Sequence, residues 1–235
     1  MLRLFRYFHP LNKQLRHQHA LSAKSKLPDC LRAILTDPSL NLATVVNELP
    51  LLSIDFETTG LDAQIDQILS IGFVQLEKGR IRLDSAQHMF IKGQVALKPE
   101  TAVINHIVPE MLDSGIALDE AMDKLFEAMR GKIVLAHGSQ IEQAFIERYI
   151  HQRYLIEDFP IVWLDTLKLE KSFYGQQEQA ETDYRLAMIR QRYGLPDYPG
   201  HGALIDALAT AELFAVMQKR LVKSRGATLG ELYRR

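Results

Sequence analysis

The spacing of apolar residues changes near residue 50, where short apolar runs begin to alternate with helix-like patterns. Leu51–Asp55 is an apolar run ending in an acid, which reads as a buried strand. Ile68–Glu77 and Arg80–Ile91 read as a hairpin about Lys78-Gly79. Leu118, Met122, Leu125, Phe126 and Met129 recur at helical spacing, and Gly131 stands where a C-terminal cap belongs. Ile133–Ala136 predicts a further buried strand, followed by a helix from about 140 to 150. Residues 161–164 predict another strand, ending in Asp165, and helices are expected over 183–193 and 203–222. Gly175–Glu181 is a polar loop or helix start with no evident chemistry. A strand hairpin followed by alternating helix and strand argues for an α/β fold with a mixed sheet.

Residues 1–48 follow a weaker pattern, punctuated by Pro10, Pro28 and Pro38. Short helices are expected around 10–23, 28–36 and 40–48. This segment reads as a basic helical N-terminal appendage to a main domain over 49–235. The first 28 residues hold six Lys/Arg and no acid, whereas the rest carries 22 basic against 29 acidic residues. Three roles stay open for it: a packed appendage, a contact arm for nucleic acid or protein, and an organelle-targeting segment.

The acidic body excludes a uniformly basic nucleic-acid binder, and clustered carboxylates suit hard metal ions. Apolar residues make up 47 % of the 235, enough for a sizeable core. The longest unbroken apolar run is Leu213 to Met217, far short of the roughly 20 residues of a membrane span. No apolar secretory leader is evident. The single cysteine, Cys30, excludes an internal disulfide framework and fits a reducing, cytoplasmic setting.

Three groups of residues carry candidate chemistry. In Asp55-Phe56-Glu57-Thr58-Thr59-Gly60, residues two apart share a strand face, so Asp55 and Glu57 point the same way. Two close carboxylates repel unless a cation sits between them. The plain alternative is a solvated acidic strand end. In His201-Gly202-Ala203-Leu204-Ile205-Asp206, a loop His precedes a helix that carries an Asp in its first turn. Such a His can take a proton from water; the plain alternative is a surface His in a Gly-rich turn. In His137-Gly138-Ser139-Gln140-Ile141-Glu142, the acid follows a strand at a helix start. There Ser139 and Glu142 also spell a capping box, which competes with a ligand role for Glu142. His9, His17 and His19 make no credible metal site, because no spacing joins them to an acid.

Taken in order, these groups resemble the DEDDh 3′–5′ exonucleases, the class of the proofreading epsilon subunit of bacterial DNA polymerase III. Ile54–Leu61 resembles the family's first motif and His201–Ala207 its third. Asp165-Thr166-Leu167 resembles the triplet after a later strand. The likeness covers about residues 50–220. The second motif departs: Glu142 stands where the family has Asp, and Gly138 where it has Asn. The resemblance implies a ribonuclease H-like fold with a mixed five-stranded sheet flanked by helices. It also implies two divalent cations, Mg²⁺ or Mn²⁺, held by Asp55, Glu57, Glu142 and Asp206. By the same resemblance, His201 accepts the water proton, while Thr58, Thr59, Gly60, Leu61 and His106 contact the nucleotide. The implied reaction releases nucleoside monophosphates from 3′ ends of single-stranded DNA, in proofreading or repair.

Two rivals stand beside that reading. One is an RNA-directed exonuclease of the same class, resembling the enzymes that trim oligoribonucleotides, since carboxylates do not distinguish the sugars. The other is an inactive nucleic-acid-binding module of the same fold, supported only by Glu142. Association with a polymerase gains no support from a C-terminal tail, because the chain ends at Arg235, soon after the last expected helix.

Overall fold

The computed structural model describes residues 8–24, 26–35, 40–93, 107–174, 182–198, 200–221 and 227–233. His106 and Gly175–Glu181 lie outside the described residues. In chain order the elements are α1 (Pro10–Ser22), α2 (Asp29–Ile34), β1 (Leu51–Thr58), β2 (Ile68–Glu77), β3 (Arg80–Phe90), α3 (Pro109–Asp113), α4 (Leu118–Met129), β4 (Ile133–Ala136), α5 (Gln140–Tyr154), β5 (Trp163–Asp165), α6 (Thr166–Tyr174), α7 (Leu186–Arg192), α8 (Ala203–Leu221) and α9 (Leu229–Leu232). The strands form the expected five-stranded mixed sheet, ordered β3-β2-β1-β4-β5. β2 runs antiparallel to both β1 and β3, while β4 runs parallel to β1 and β5. The hairpin turn has Lys78 at φ 50° and Gly79 at φ 69°, the paired left-handed conformation of a tight two-residue turn.

Each sheet face has its own core. Leu52, Ile54 and Phe56 of β1 pack with Met122, Leu125 and Phe126 of α4 and with Phe145 and Ile146 of α5. On the other face, Leu51, Val74 and Leu135 pack with Leu213, Phe214 and Met217 of α8. The N-terminal segment joins both: Leu21, Leu27, Leu31 and Ile34 enter the first core, and Leu11, Leu40, Val46 and Leu49 the second. His9 caps α1 by accepting from the Leu11 N–H, and its Nε2 lies 3.1 Å from the Gly230 carbonyl.

Several elements differ from the sequence reading, and the short helices α3 and α9 are among those it did not include. The helix expected over 40–48 shrinks to a 3₁₀ turn at Val46–Glu48, because the backbone there is used by the C-terminal segment. Val45 bridges Thr228, the Val46 N–H donates to the Ala227 carbonyl, and the Leu229 N–H donates to the Thr44 carbonyl. Helix α6 was not expected; it begins directly after β5, with no turn residues to announce it.

One small residue sets the distance between β2 and α8. Gly72 pairs with Asp55 across the β1–β2 ladder, and a Cβ there would overlap the backbone of Ala203 and Leu204. The Ser53 hydroxyl, two residues before Asp55, donates to the Ala207 carbonyl at 2.7 Å. We expect Gly72→Ala to push the start of α8 off the sheet and to cost about 1–3 kcal/mol of stability, the usual range for overpacking. Denaturant unfolding measures this, and an unchanged midpoint would show that α8 is not seated on Gly72.

Candidate active site

Strand β1 ends in the first two acids. Ile54 and Phe56 point into the core, so Asp55 and Glu57 share the opposite face, under the first turn of α8. The seat on Gly72 and the Ser53 bond bring Asp206 to the same place. One carboxylate oxygen each from Asp55, Glu57 and Asp206 lie within 4.8 Å of one another. Glu142, on α5, lies outside that group of three but close enough to repel Asp55 and Glu57. It is 4 % exposed, and its Oε2 has no hydrogen-bond partner among the described residues.

The capping-box reading of Glu142 does not hold. Ser139 itself has helical backbone angles, and its side chain makes no cap bond. Instead its hydroxyl donates to Asp165 Oδ2 at 3.0 Å. Asp165 also accepts from the backbone N–H groups of Gly138, Ser139, Leu167 and Lys168. One buried carboxylate therefore caps two helix starts, α5 and α6. His137 is held structurally, with Nδ1 at 2.8 Å from the Thr166 hydroxyl and Nε2 at 3.0 Å from the Tyr184 carbonyl. Burial lowers its pKa.

The four acids share one electrostatic problem. Burial raises the pKa of Asp55 well above the usual carboxylate range, and Glu142, Asp206 and Glu57 add to the shift by repulsion. Glu57 is pushed up to about 8 by burial, then by Asp206 and Glu142. Glu142 rises to about 7, chiefly from burial, with its own N–H opposing, Asp165 contributing and the Phe56 N–H also opposing. Asp206 is raised by burial, against the opposing pull of the His201 N–H and of the His201 and Arg190 charges. Protein groups thus leave the negative charge largely uncompensated. Hard oxygen donors, a surplus of negative charge and an unpartnered buried oxygen together fit a divalent cation.

His201 stands at the rim. It is exposed, its φ of 65° lies in the left-handed region, and its N–H donates to Asp206 Oδ2 at 3.1 Å. The loop after β1 forms another wall. The Thr58 hydroxyl donates to the Gly60 carbonyl, and the Thr59 hydroxyl to Asp66 Oδ1. Gly60 backs onto the Asp66 carboxylate so closely that no Cβ would fit. Leu61 is left 76 % exposed. Arg148, on the helix that carries Glu142, ties this loop down by donating to the Ala63 and Asp66 carbonyls. The sequence reading missed Gly72, Ser53, Asp66, Arg148 and the capping role of Asp165. A glycine inside a strand was the one legible signal among them.

Comparison with known proteins adds the ancestry of this arrangement. The exonuclease family of the RNase T type matches residues 52–214, more than half of the chain. The chain belongs to that family. Among its relatives is the PolC-type DNA polymerase III of Thermotoga petrophila, 29 % identical over 208 residues, covering 88 % of this chain but 14 % of the polymerase. Another is the DNA polymerase III epsilon subunit of Treponema pallidum, 26 % identical, covering 73 % of this chain and 78 % of the subunit. The chain thus spans only a small part of the polymerases it matches. Solved structures confirm the ribonuclease H-like exonuclease fold. The nuclease domain of 3′hExo, a DEDDh family member bound to rAMP, superposes with a TM-score of 0.61 at 16 % identity, covering 77 % of this chain and 98 % of that domain. E. coli ExoI, in a complex with single-stranded DNA, gives 0.62 at 15 % identity, covering 73 % of this chain and 41 % of ExoI. Among the described residues no helix is long and apolar enough to cross a membrane.

The raised carboxylates make a stability prediction with a definite sign. Between the ordinary Glu value of 4.5 and about 8, the folded protein keeps a proton on Glu57 that the unfolded chain has released. Stability from this group is therefore full below about 4.5 and is lost as the pH rises toward 8. In EDTA, the melting temperature of Glu57→Gln should fall less than that of the wild type between about pH 5 and pH 8. Adding Mn²⁺ should flatten the wild-type slope. Equal slopes for the two proteins would show that Glu57 is already ionised in the folded state.

Proposed function

We propose that this chain removes nucleoside monophosphates one at a time from the 3′ ends of single-stranded DNA, in a proofreading or repair role. The observation that carries the reading is the convergence of Asp55, Glu57 and Asp206 within 4.8 Å, with Glu142, which carries a buried unpartnered oxygen, near enough to repel Asp55 and Glu57, and the His201 N–H bonded to Asp206 at the rim.

The four carboxylates suit Mg²⁺ or Mn²⁺, and Asp55, Glu57, Glu142 and Asp206 would hold them. When bound, such ions supply Lewis acidity that favours ionisation of water and neutralises charge building up on the phosphate. The remaining work falls to the chain. His201 is exposed and free of the core, so its ring can reach a water in the cleft and take its proton. The rigid loop Thr58–Leu61 offers backbone groups and an exposed apolar side chain to the terminal nucleotide. Unstacking that nucleotide is easier in a single strand, where aromatic, apolar and backbone contacts outweigh base readout. His106 is proposed to contact the strand on the family resemblance alone. The basic residues of 1–28 would add a salt-sensitive phosphate contact.

Glu142 is one methylene longer than the Asp it replaces. Its buried place on the first turn of α5, with one oxygen unpartnered and no capping box with Ser139, supports a ligand role. We expect His201→Ala to lower kcat about 10²–10⁴-fold, the range for a general base, and Asp55→Asn to abolish activity. Glu142→Asp should retain activity, whereas Glu142→Ala should lose on the order of 100-fold, as a misplaced reacting group does. The assay is shortening of 5′-labelled DNA and RNA oligomers with Mg²⁺, Mn²⁺ or EDTA. A metal-dependent ladder from the 3′ end, faster on DNA and absent in Asp55→Asn, is the expected result. A faster RNA ladder would transfer the assignment to RNA, and no ladder with either sugar would leave only a binding module.

A further inference from the structure

His201 stands between two glycines, in a conformation few side chains adopt. Glycine neighbours widen the choices of the backbone, so the local sequence alone holds the imidazole nowhere in particular. On the downstream side it is fixed by its N–H bond to Asp206. On the upstream side the chain is gripped by a buried arginine. Arg190 of α7 is 2 % exposed. Its Nη1 donates to the Ala209 carbonyl at 2.7 Å, and its Nη2 donates to the Pro196 carbonyl at 2.9 Å and to Glu212 Oε2 at 2.8 Å. The Tyr198 ring lies over the guanidinium at 4.6 Å, and its hydroxyl donates to Glu212 Oε1 at 2.8 Å.

We propose that Arg190, Glu212 and Tyr198 form a clamp that positions His201. The inference deepens the nuclease reading and, for its catalytic consequence, rests on it. One planar guanidinium binds α8, through Ala209 and Glu212, and the loop that delivers His201, through Pro196 and Tyr198. A lysine has no fork with which to make these bonds together. The loop position is thereby set relative to the helix that carries Asp206, so the imidazole and the carboxylate keep their spacing. All three are positioning residues, since each acts through His201 or Asp206 and not on the substrate.

Tyr198 gives the cleanest test, because it is half-exposed and its loss leaves both cores intact. In the full chain, hydrogen exchange at 200–206 should speed up about tenfold in Tyr198→Ala and little in Tyr198→Phe, which keeps the stacked ring. On a DNA oligomer with Mn²⁺, Tyr198→Ala should lower kcat about 10- to 100-fold, in line with a small misplacement of a reacting group. KM and Mn²⁺ affinity should stay within about twofold. In a His201→Ala background the same change should cost nothing further, because residues acting through one group are not additive. Unchanged exchange, an unchanged kcat, or a full additional loss in the His201→Ala background would each overturn the clamp. If the wild-type chain cleaves nothing, faster exchange in Tyr198→Ala would still support the clamp, and the nuclease reading would be overturned instead.

Discussion

Four carboxylates crowded into one buried corner are the constraint around which this structure is arranged. Charges of one sign at such separations repel, and burial strengthens the repulsion. Left alone, the chain relieves the strain by holding protons, as the elevated values of Asp55, Glu57 and Glu142 record. The neighbouring features read as devices that keep the acids together against this tendency. Gly72 allows α8 to lie on the sheet, and Ser53 pins it there. Core packing on both faces of β1 fixes the strand from which Asp55 and Glu57 project.

Asp165 has the opposite part. It is as buried as the site acids, yet it accepts bonds from four backbone N–H groups and one hydroxyl. Donors from two helix starts fill its oxygens, so the backbone holds Asp165 in place. The contrast with Glu142, on the first turn of the helix whose start Asp165 caps, lies in how the oxygens are used. One has its lone pairs filled by the backbone, and the other retains an oxygen with nothing to bind.

Much of this was legible beforehand. The strands of the sheet, the hairpin turn, the shared face of Asp55 and Glu57 and the loop-to-helix step from His201 to Asp206 all follow from periods of 2 and 3.6 and from turn chemistry. The misreadings came where distant segments compete for the same groups. Residues 40–48 look helical locally, but the segment from Ala227 to Gly230 takes up their backbone bonds. Ser139 and Glu142 spell a capping box, but Asp165, 26 residues beyond Ser139, fills the serine's role. Helix α6 has no start signal because its cap is the last residue of a strand. The Arg190 clamp joins residues up to 22 positions apart, which no periodicity announces.

The account turns on whether the four acids act as one cation site. Isothermal titration of the metal-free chain with Mn²⁺, beside Asp55→Asn and Glu142→Gln, tests this directly. The account predicts two ions per wild-type chain, loss of both in Asp55→Asn, and loss or marked weakening of one in Glu142→Gln. Wild-type binding no different from that of Asp55→Asn would contradict it.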